Sequence, residues 1–383
     1  MSVNRNIKIQ IERFMDKYPI VAITGPRQSG KTTLLKQLFP NYTYLSLENP
    51  DTSEFAKSDP KAFLEMYNDQ VILDEVQKAP ELFSYLQSIV DESGKMGQYI
   101  LSGSQNFLLM KSITQSLAGR VILFKLLPFD FSELKSAGWL SESYEDLCLK
   151  GSYPSIYDRA IPSDVFYNNY IQTYVERDVS EILNVKDLSQ FRIFLMLCAT
   201  RAGQLLNLSE IAKKVGITQP TAKSWLSVLE SSYITFLLQP YYENFSKRIV
   251  KTPKLYFYDT GLLTHLLKIK DKEQLAKHQQ KGALFENLII SEKLKQNHHQ
   301  YLMDDHWFWR DSNNKEVDLL IQQGGKFDVY EIKPTSTITQ KLFNNLDYFS
   351  AVASDSIKNK FLVYGGDQNQ KRSIAEVLSW KDC

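Results

Sequence analysis

Gly25-Pro26-Arg27-Gln28-Ser29-Gly30-Lys31-Thr32 carries the G-x-x-x-x-G-K-[ST] spacing of a phosphate-binding P-loop. The run before it, Ile20-Val21-Ala22-Ile23-Thr24, is apolar and β-branched and predicts a buried strand. The stretch from Lys31 to Phe39 sets Leu34, Leu35 and Leu38 at helical spacing. Strand, glycine loop and helix in that order suit one chemistry. Glycines let backbone N–H groups converge on phosphate oxygens, and the helix N-terminus adds positive potential. Lys31 would neutralise the β- and γ-phosphates, and the Thr32 hydroxyl would ligate Mg²⁺. The expected ligands are therefore ATP and Mg²⁺, with Gly25, Pro26, Arg27, Gln28, Ser29, Gly30, Lys31, Thr32 and Thr33 as the binding loop. A glycine turn of fortuitous spacing would lack both flanks and the second motif downstream.

Composition narrows the rest. A chain of 383 residues predicts two or three domains, and 43% hydrophobic residues suffice for packed cores. The net charge of +1 excludes a protein-wide basic field, so any nucleic-acid contact is local. Cys148, Cys198 and Cys383 lie far apart without metal spacing and predict reduced thiols in a cytoplasmic protein. No apolar run reaches the roughly 20 residues of a membrane span, so no membrane partner is expected. Neither a secretory leader nor an internal repeat is predicted.

Up to about residue 128 the chain alternates apolar strands with helical stretches, which predicts a parallel sheet covered on both faces. The strands are Tyr42 to Leu47, Val71 to Glu75, Tyr99 to Ser102 and Val121 to Phe124. Ligands belong at the carboxyl ends of such strands. There, Val71-Ile72-Leu73-Asp74-Glu75 has the form of a Walker B motif. Asp74 would hold Mg²⁺, and Glu75 would polarise the attacking water. Ser102-Gly103-Ser104-Gln105 ends the next strand, where Ser104 would sense the γ-phosphate. The bland alternatives are a strand ending in two solvated acids and a Ser/Gly turn.

Arg120, in Leu117-Ala118-Gly119-Arg120, resembles the AAA+ ATPases, whose arginine finger projects from this junction into a neighbouring subunit. That resemblance implies a catalytic Arg120 acting in trans and a homo-oligomer; the alternative is a cation offsetting a helix C-terminus. Residues 129–200 read as a helical lid or linker, with one amphipathic helix from Tyr167 to Leu183 and a local salt-bridge set around Arg177. Residues 201–270 read as a winged helix-turn-helix. Asn207 to Val215 is a helix capped by Ser209, Ile217 to Pro220 is the turn, and Thr221 to Leu229 is the second helix. Ile234 to Leu238 and Leu255 to Tyr258 would form the wing. Between residues 201 and 268 there are nine Lys/Arg against four Asp/Glu, an excess that suggests phosphate contact and DNA as a partner. Such units also serve as protein–protein modules.

Residues 280–383 hold a second piece of chemistry. A helix from Gly282 to Ile290 carries Glu286, and strands follow at His306 to Arg310, Glu316 to Ile321 and Phe327 to Ile332. Asp318 followed by Glu331-Ile332-Lys333 on adjacent strands resembles the PD-(D/E)xK nuclease fold, although Val317 stands where a proline is usual. Asp318, Glu331 and Glu286 would hold Mg²⁺ or Mn²⁺, hard cations that prefer carboxylate oxygen, and Lys333 would activate the water. Trp307 and Trp309 are expected to pack the sheet. The same fold without cutting is an equal alternative.

Taken whole, the chain resembles a family of prokaryotic AAA-type ATPases with a C-terminal domain of uncharacterised function. The residues carrying this are Gly25 to Thr32, Leu73 to Glu75, Leu101 to Ser104, Ser116 to Arg120, Tyr174 to Asp178, Ala202 to Leu206, Tyr258 to Leu262 and Gly282 to Glu286. Gly151-Ser152-Tyr153-Pro154 departs from many relatives in having Ser152 for a second glycine. The resemblance implies an α/β P-loop ATPase core, a winged helix and a nuclease-like end, hence an ATPase acting on or regulated by DNA. The alternative is an ATP-switched regulatory or scaffold protein whose nuclease-like domain binds without cleaving. A small-molecule kinase would leave the later domains without a task.

Overall fold

A computed structural model of the chain describes residues 3–104, 116–175, 188–242 and 251–383. Gln105, most of the helix expected before Leu117, the set around Arg177 and the cations Lys247 and Arg248 lie outside the described residues.

Five strands form a parallel sheet in the order β2-β3-β4-β1-β5: β1 (Ile20–Thr24), β2 (Thr43–Ser46), β3 (Val71–Asp74), β4 (Tyr99–Gly103) and β5 (Val121–Lys125). Alternate residues of each strand serve opposite faces. Ile20, Ala22, Leu73 and Leu101 pack with Phe63, Leu82 and Leu86 on one side. Val21, Ile23, Ile72 and Ile100 pack with Ile7, Leu34 and Leu35 on the other. Two hydrophobic faces explain the continuous apolar runs of the sequence. They also leave only the strand ends for polar chemistry.

The second sheet has eight strands in the order β12-β13-β11-β10-β9-β8-β6-β7. β6 (Thr235–Pro240) and β7 (Lys254–Phe257) make an antiparallel hairpin. β8 (Asp305–Arg310), β9 (Glu316–Gln323) and β10 (Lys326–Lys333) form a meander, extended by β11 (Ile357–Tyr364), β12 (Gln370–Lys371) and β13 (Glu376–Ser379). The sheet runs across residues 270–280, where the sequence suggested a break. β6 continues past its hairpin partner and pairs in parallel with β8, through Gln239 with Trp307 and Pro240 with Phe308. Trp309 is 1% exposed and packs edge-on against Phe349 at 5.0 Å. One large core then joins Phe129 and Tyr153 to Trp225, Phe285 and Trp380.

Local details correct the sequence reading. The helix Leu208–Val215 is capped by Asn207, whose side chain accepts from the Glu210 N–H, and not by Ser209. The next helix starts at Gln219, because Thr218 caps it and Pro220 suits a first turn where no N–H is needed. The stretch expected as one helix from Tyr167 is α-helical over Ser163–Tyr170 and winds more widely, as a π turn, over Ile171–Val175. Ser152 is a working residue: its N–H and hydroxyl donate to Asp259, and the Lys295 ammonium donates to it at 2.7 Å. Cys148, Cys198 and Cys383 are free and buried. No helix among the described residues is long and apolar enough to cross a membrane.

Candidate nucleotide and metal sites

β1 delivers Thr24, buried, to the loop that follows. Gly25 adopts φ +151, and a Cβ there would lie 2.1 Å from the Leu126 carbonyl oxygen, so only glycine fits. Gly30, at φ +94, opens the helix Lys31–Leu38. Lys31 is 6% exposed, and its ammonium donates to the Gly25 and Pro26 carbonyls at 2.9 and 3.0 Å. The cation thus lies over the loop that phosphates would enter. Arg27, Gln28, Gly30, Lys31, Thr32, Thr33 and Glu75 line a cleft of about 760 Å³, with Arg5, Trp139 and Tyr174 on its walls. The backbone of Ser29 is held from outside, since the Arg5 guanidinium donates to its carbonyl at 2.8 Å.

The strand-end acids meet this loop. The Thr32 hydroxyl donates to Asp74 Oδ2 at 2.8 Å, and the Tyr44 hydroxyl donates to the same oxygen at 2.6 Å. Ser102 donates to Asp74 Oδ1. Burial and the Asp74 carboxylate push the Tyr44 phenol well up, so it stays a donor. These oxygens are the hard donors Mg²⁺ prefers, and Thr32 and Asp74 are already together. Glu75 has φ 55 and ψ 44, a left-handed conformation that costs a non-glycine residue about 1–3 kcal/mol. Its Oε2 accepts from the Ser104 hydroxyl at 3.0 Å and from the Gln77 amide. Ser104 therefore orients Glu75 and is absent from the residues lining the cleft. Tyr44, Gln77 and Arg5 join this site without any spacing signal in the sequence, whereas Ser102 belongs to the strand-end stretch already read toward the phosphate.

Arg120 lies at the amino end of β5, across the sheet from the loop. It forms a two-point pair with Asp91 at 2.6 Å and donates to the Ala118 carbonyl at 3.1 Å. It cannot serve the nucleotide of its own chain.

The loop is also tied to distant elements. The Tyr233 hydroxyl, from the turn before β6, donates to Thr24 Oγ1 at 2.7 Å. Arg5 bonds the Leu127 carbonyl at 2.6 Å and pairs with buried Glu133 at 3.0 Å. His299, at the end of the helix Lys281–His299, bonds Asp130 through Nδ1 at 2.9 Å and accepts the Leu127 N–H at Nε2. Burial opposes the Asp130 charge, but His299 and nearby donors outweigh it and hold the carboxyl well below the usual range.

In the second sheet, β9 and β10 are antiparallel, and one step past the Tyr330–Leu319 pair come Glu331 and Asp318. The Lys333 ammonium bridges them, 3.0 Å from Asp318 Oδ2 and 2.8 Å from Glu331 Oε1. The Ile332 N–H also donates to Asp318 at 2.7 Å. Burial and the Asp318 charge push the Glu331 carboxyl up to about 8, and its Oε2 is buried without a hydrogen-bond partner among the described residues. Glu286 joins Asp318, but with Glu316 as the third acid: one oxygen of each lies within 4.8 Å of the others. Glu316 was not foreseen, nor was Lys254. The Lys254 ammonium, 2% exposed at the residue, contacts Glu286 Oε1 at 3.0 Å and Glu316 Oε1 at 2.6 Å. This removes one cation from the basic excess of residues 201–268. Arg201 and Lys214 both pair with Glu210, which commits two more.

The strand–loop–helix geometry and the paired acids define a P-loop ATPase of the AAA type. Residues 17–135 match the family described as AAA domain, and residues 141–273 and 281–383 match two domains of unknown function, DUF8612 and DUF4143. The chain is 31% identical over 340 residues to the uncharacterized protein Rv2008c of Mycobacterium tuberculosis, covering 87% of this chain and 74% of that one, and it belongs to the same family. It is 23% identical over 351 residues to the uncharacterized protein MJ1544 of Methanocaldococcus jannaschii, covering 83% of this chain and 75% of that protein. Among solved structures it is similar to the Walker-type ATPase paby2304 of Pyrococcus abyssi, at 15% identity and a TM-score of 0.44, over 68% of this chain and 94% of that one.

Proposed function

We propose that this chain binds and hydrolyses ATP at the end of the first sheet, and that the second sheet acts on or is regulated by DNA. The observation that carries the first part is the Thr32–Asp74 contact at 2.8 Å beside Lys31, with Glu75 on the same cleft. Lys31 would swing from the Gly25 and Pro26 carbonyls to the phosphates, a charge-assisted exchange. Mg²⁺ held by Thr32 and Asp74 would neutralise charge on the phosphate oxygens. Glu75, oriented by Ser104 and Gln77, would accept the proton of the attacking water. Arg120 would reach phosphate only in a neighbouring copy, after leaving Asp91.

The helices Leu208–Val215 and Gln219–Ser231 with the β6–β7 hairpin supply the winged-helix reading, and Asp318, Glu331 and Lys333 supply the nuclease-like one. The second reading, an ATP-switched regulator that does not cut, is favoured by the ammonium of Lys254 among the acids. One set of assays decides. ATP turnover should vanish in Lys31→Ala and fall strongly in Glu75→Gln, and unchanged turnover in Lys31→Ala would sink the nucleotide site. Single- and double-stranded DNA are then incubated with Mg²⁺ or Mn²⁺, with and without ATP. Cutting that Asp318→Ala removes supports the first reading, and intact DNA with ATP turnover preserved supports the second.

A further inference from the structure

The carboxylate cluster contains its own cations. Glu286 comes from the long helix, Glu316 and Asp318 from β9, and Glu331 from β10. Lys333 sits between Asp318 and Glu331. Lys254 sits between Glu286 and Glu316, and Arg310 takes the second oxygen of Glu316 at 3.2 Å. Lys254 differs from a surface lysine that drifts toward acids. Its strand is buried throughout, its backbone bridges to Leu205, and its ammonium lies 5.3 Å from the Phe308 ring centre. The oxygen of Glu286 that it contacts also accepts the Tyr256 hydroxyl. That corner is filled from two sides, whereas Glu331 Oε2 is buried and has no hydrogen-bond partner among the described residues.

We propose that Lys254, with a side chain 3% exposed, is a resident cation of this cluster that commits Glu286 and Glu316, so that an entering divalent cation takes Asp318 and Glu331 as its carboxylate ligands by displacing the more exposed Lys333. The inference rests on reading Asp318 and Glu331 as cation ligands. Two like charges a few ångströms apart in a buried site repel strongly, so Lys254 also weakens whatever cation does bind. The β6–β7 hairpin, from the unit before the long helix, thereby sets the metal affinity of the strands after it.

The test is isothermal titration of full-length protein with MnCl₂, for wild type, Lys254→Met, Lys254→Arg, Glu286→Gln and Asp318→Asn. Removing the ammonium should tighten Mn²⁺ at least about tenfold, while arginine, keeping the charge, should not. Glu286→Gln, which leaves the Lys254 charge less compensated, should weaken Mn²⁺ only about two- to fivefold, and Asp318→Asn should abolish binding. Mn²⁺ binding that appears only in Lys254→Met is the same result in its extreme form. If Glu286→Gln weakens Mn²⁺ as Asp318→Asn does, or if Lys254→Met binds no tighter, Lys254 is not a resident cation although the metal reading survives. If neither wild type nor Lys254→Met binds Mn²⁺, the metal reading falls and this inference with it. Retained ATP turnover verifies folding, and should Lys254→Met not fold, the Glu286→Gln titration decides alone.

Discussion

Asp74 shows how residues at a strand end are made ready for a cation. Its two oxygens accept from Thr32, Tyr44 and Ser102, so the carboxylate is oriented before any ligand arrives. A hydrogen bond to a charged group contributes about 1.5–3 kcal/mol, so Ser102→Ala should lower ATP turnover about tenfold or more, most at limiting Mg²⁺. Equal turnover across a Mg²⁺ titration would show that Ser102 only fills space. Thr32 was legible from the P-loop spacing, and Asp74 from the apolar strand that it ends. Tyr44 was not, nor was Asp74 as the partner of Ser102, because parallel pairing brings Tyr44 and Ser102 to Asp74 from β2 and β4, and no local spacing records strand order. Ser104 was legible as a strand-end polar residue, yet its partner proved to be Glu75.

At the scale of elements, the few residues before the helix Ile7–Phe14 carry the least sequence signal and much structural weight. Arg5 joins the Ser29 carbonyl of the loop, the Leu127 carbonyl after β5 and the buried Glu133 carboxylate. Removing one member of a buried pair costs about 3–5 kcal/mol, because the other charge is left unpaired. Arg5→Ala should therefore lower the melting temperature and raise KM for ATP more than it lowers kcat; a variant with wild-type melting and KM would show that the clamp is dispensable. Apolar periodicity made the strands and the long helix legible. The parallel contact of β6 with β8 was hidden, since it joins residues almost seventy apart through backbone atoms alone.

Across the whole molecule, two buried acids make stability depend on pH. Glu331 and Glu292 are each lifted to about 8, chiefly by burial and then by a neighbouring aspartate, Asp318 for the first and Asp130 for the second. Below the ordinary glutamate range both are neutral whether folded or unfolded. Above about pH 4.5 these two acids bind more protons in the folded chain than in the unfolded one, but burial lowers His298 to about 3 and opposes them up to about pH 6.5, so stability falls with rising pH chiefly between about pH 6.5 and 8. The melting temperature should drop over this range, and Glu292→Gln should flatten the slope in metal-free buffer. A slope identical in wild type and Glu292→Gln would remove that residue from the account. Motif order predicts four successive units, residues 1–128, 129–200, 201–270 and 280–383; the continuity of core between them was not legible, because burial of Phe129 with Trp380 is a property of the folded chain.

The helix Lys281–His299 has a practical consequence for anyone dividing the chain. At about 1.5 Å per residue it spans nearly 30 Å, with Glu286 near one end and His299 at the other. His299 is fully buried against Asp130 and the Leu127 N–H, directly beside the ATPase sheet. An excised fragment ending near residue 128 would lose the histidine that satisfies that N–H, together with the Asp130 and Glu133 carboxylates that anchor Asn6 and Arg5. The nucleotide-binding sheet is consequently not a detachable cassette, and its biochemistry belongs to the intact polypeptide.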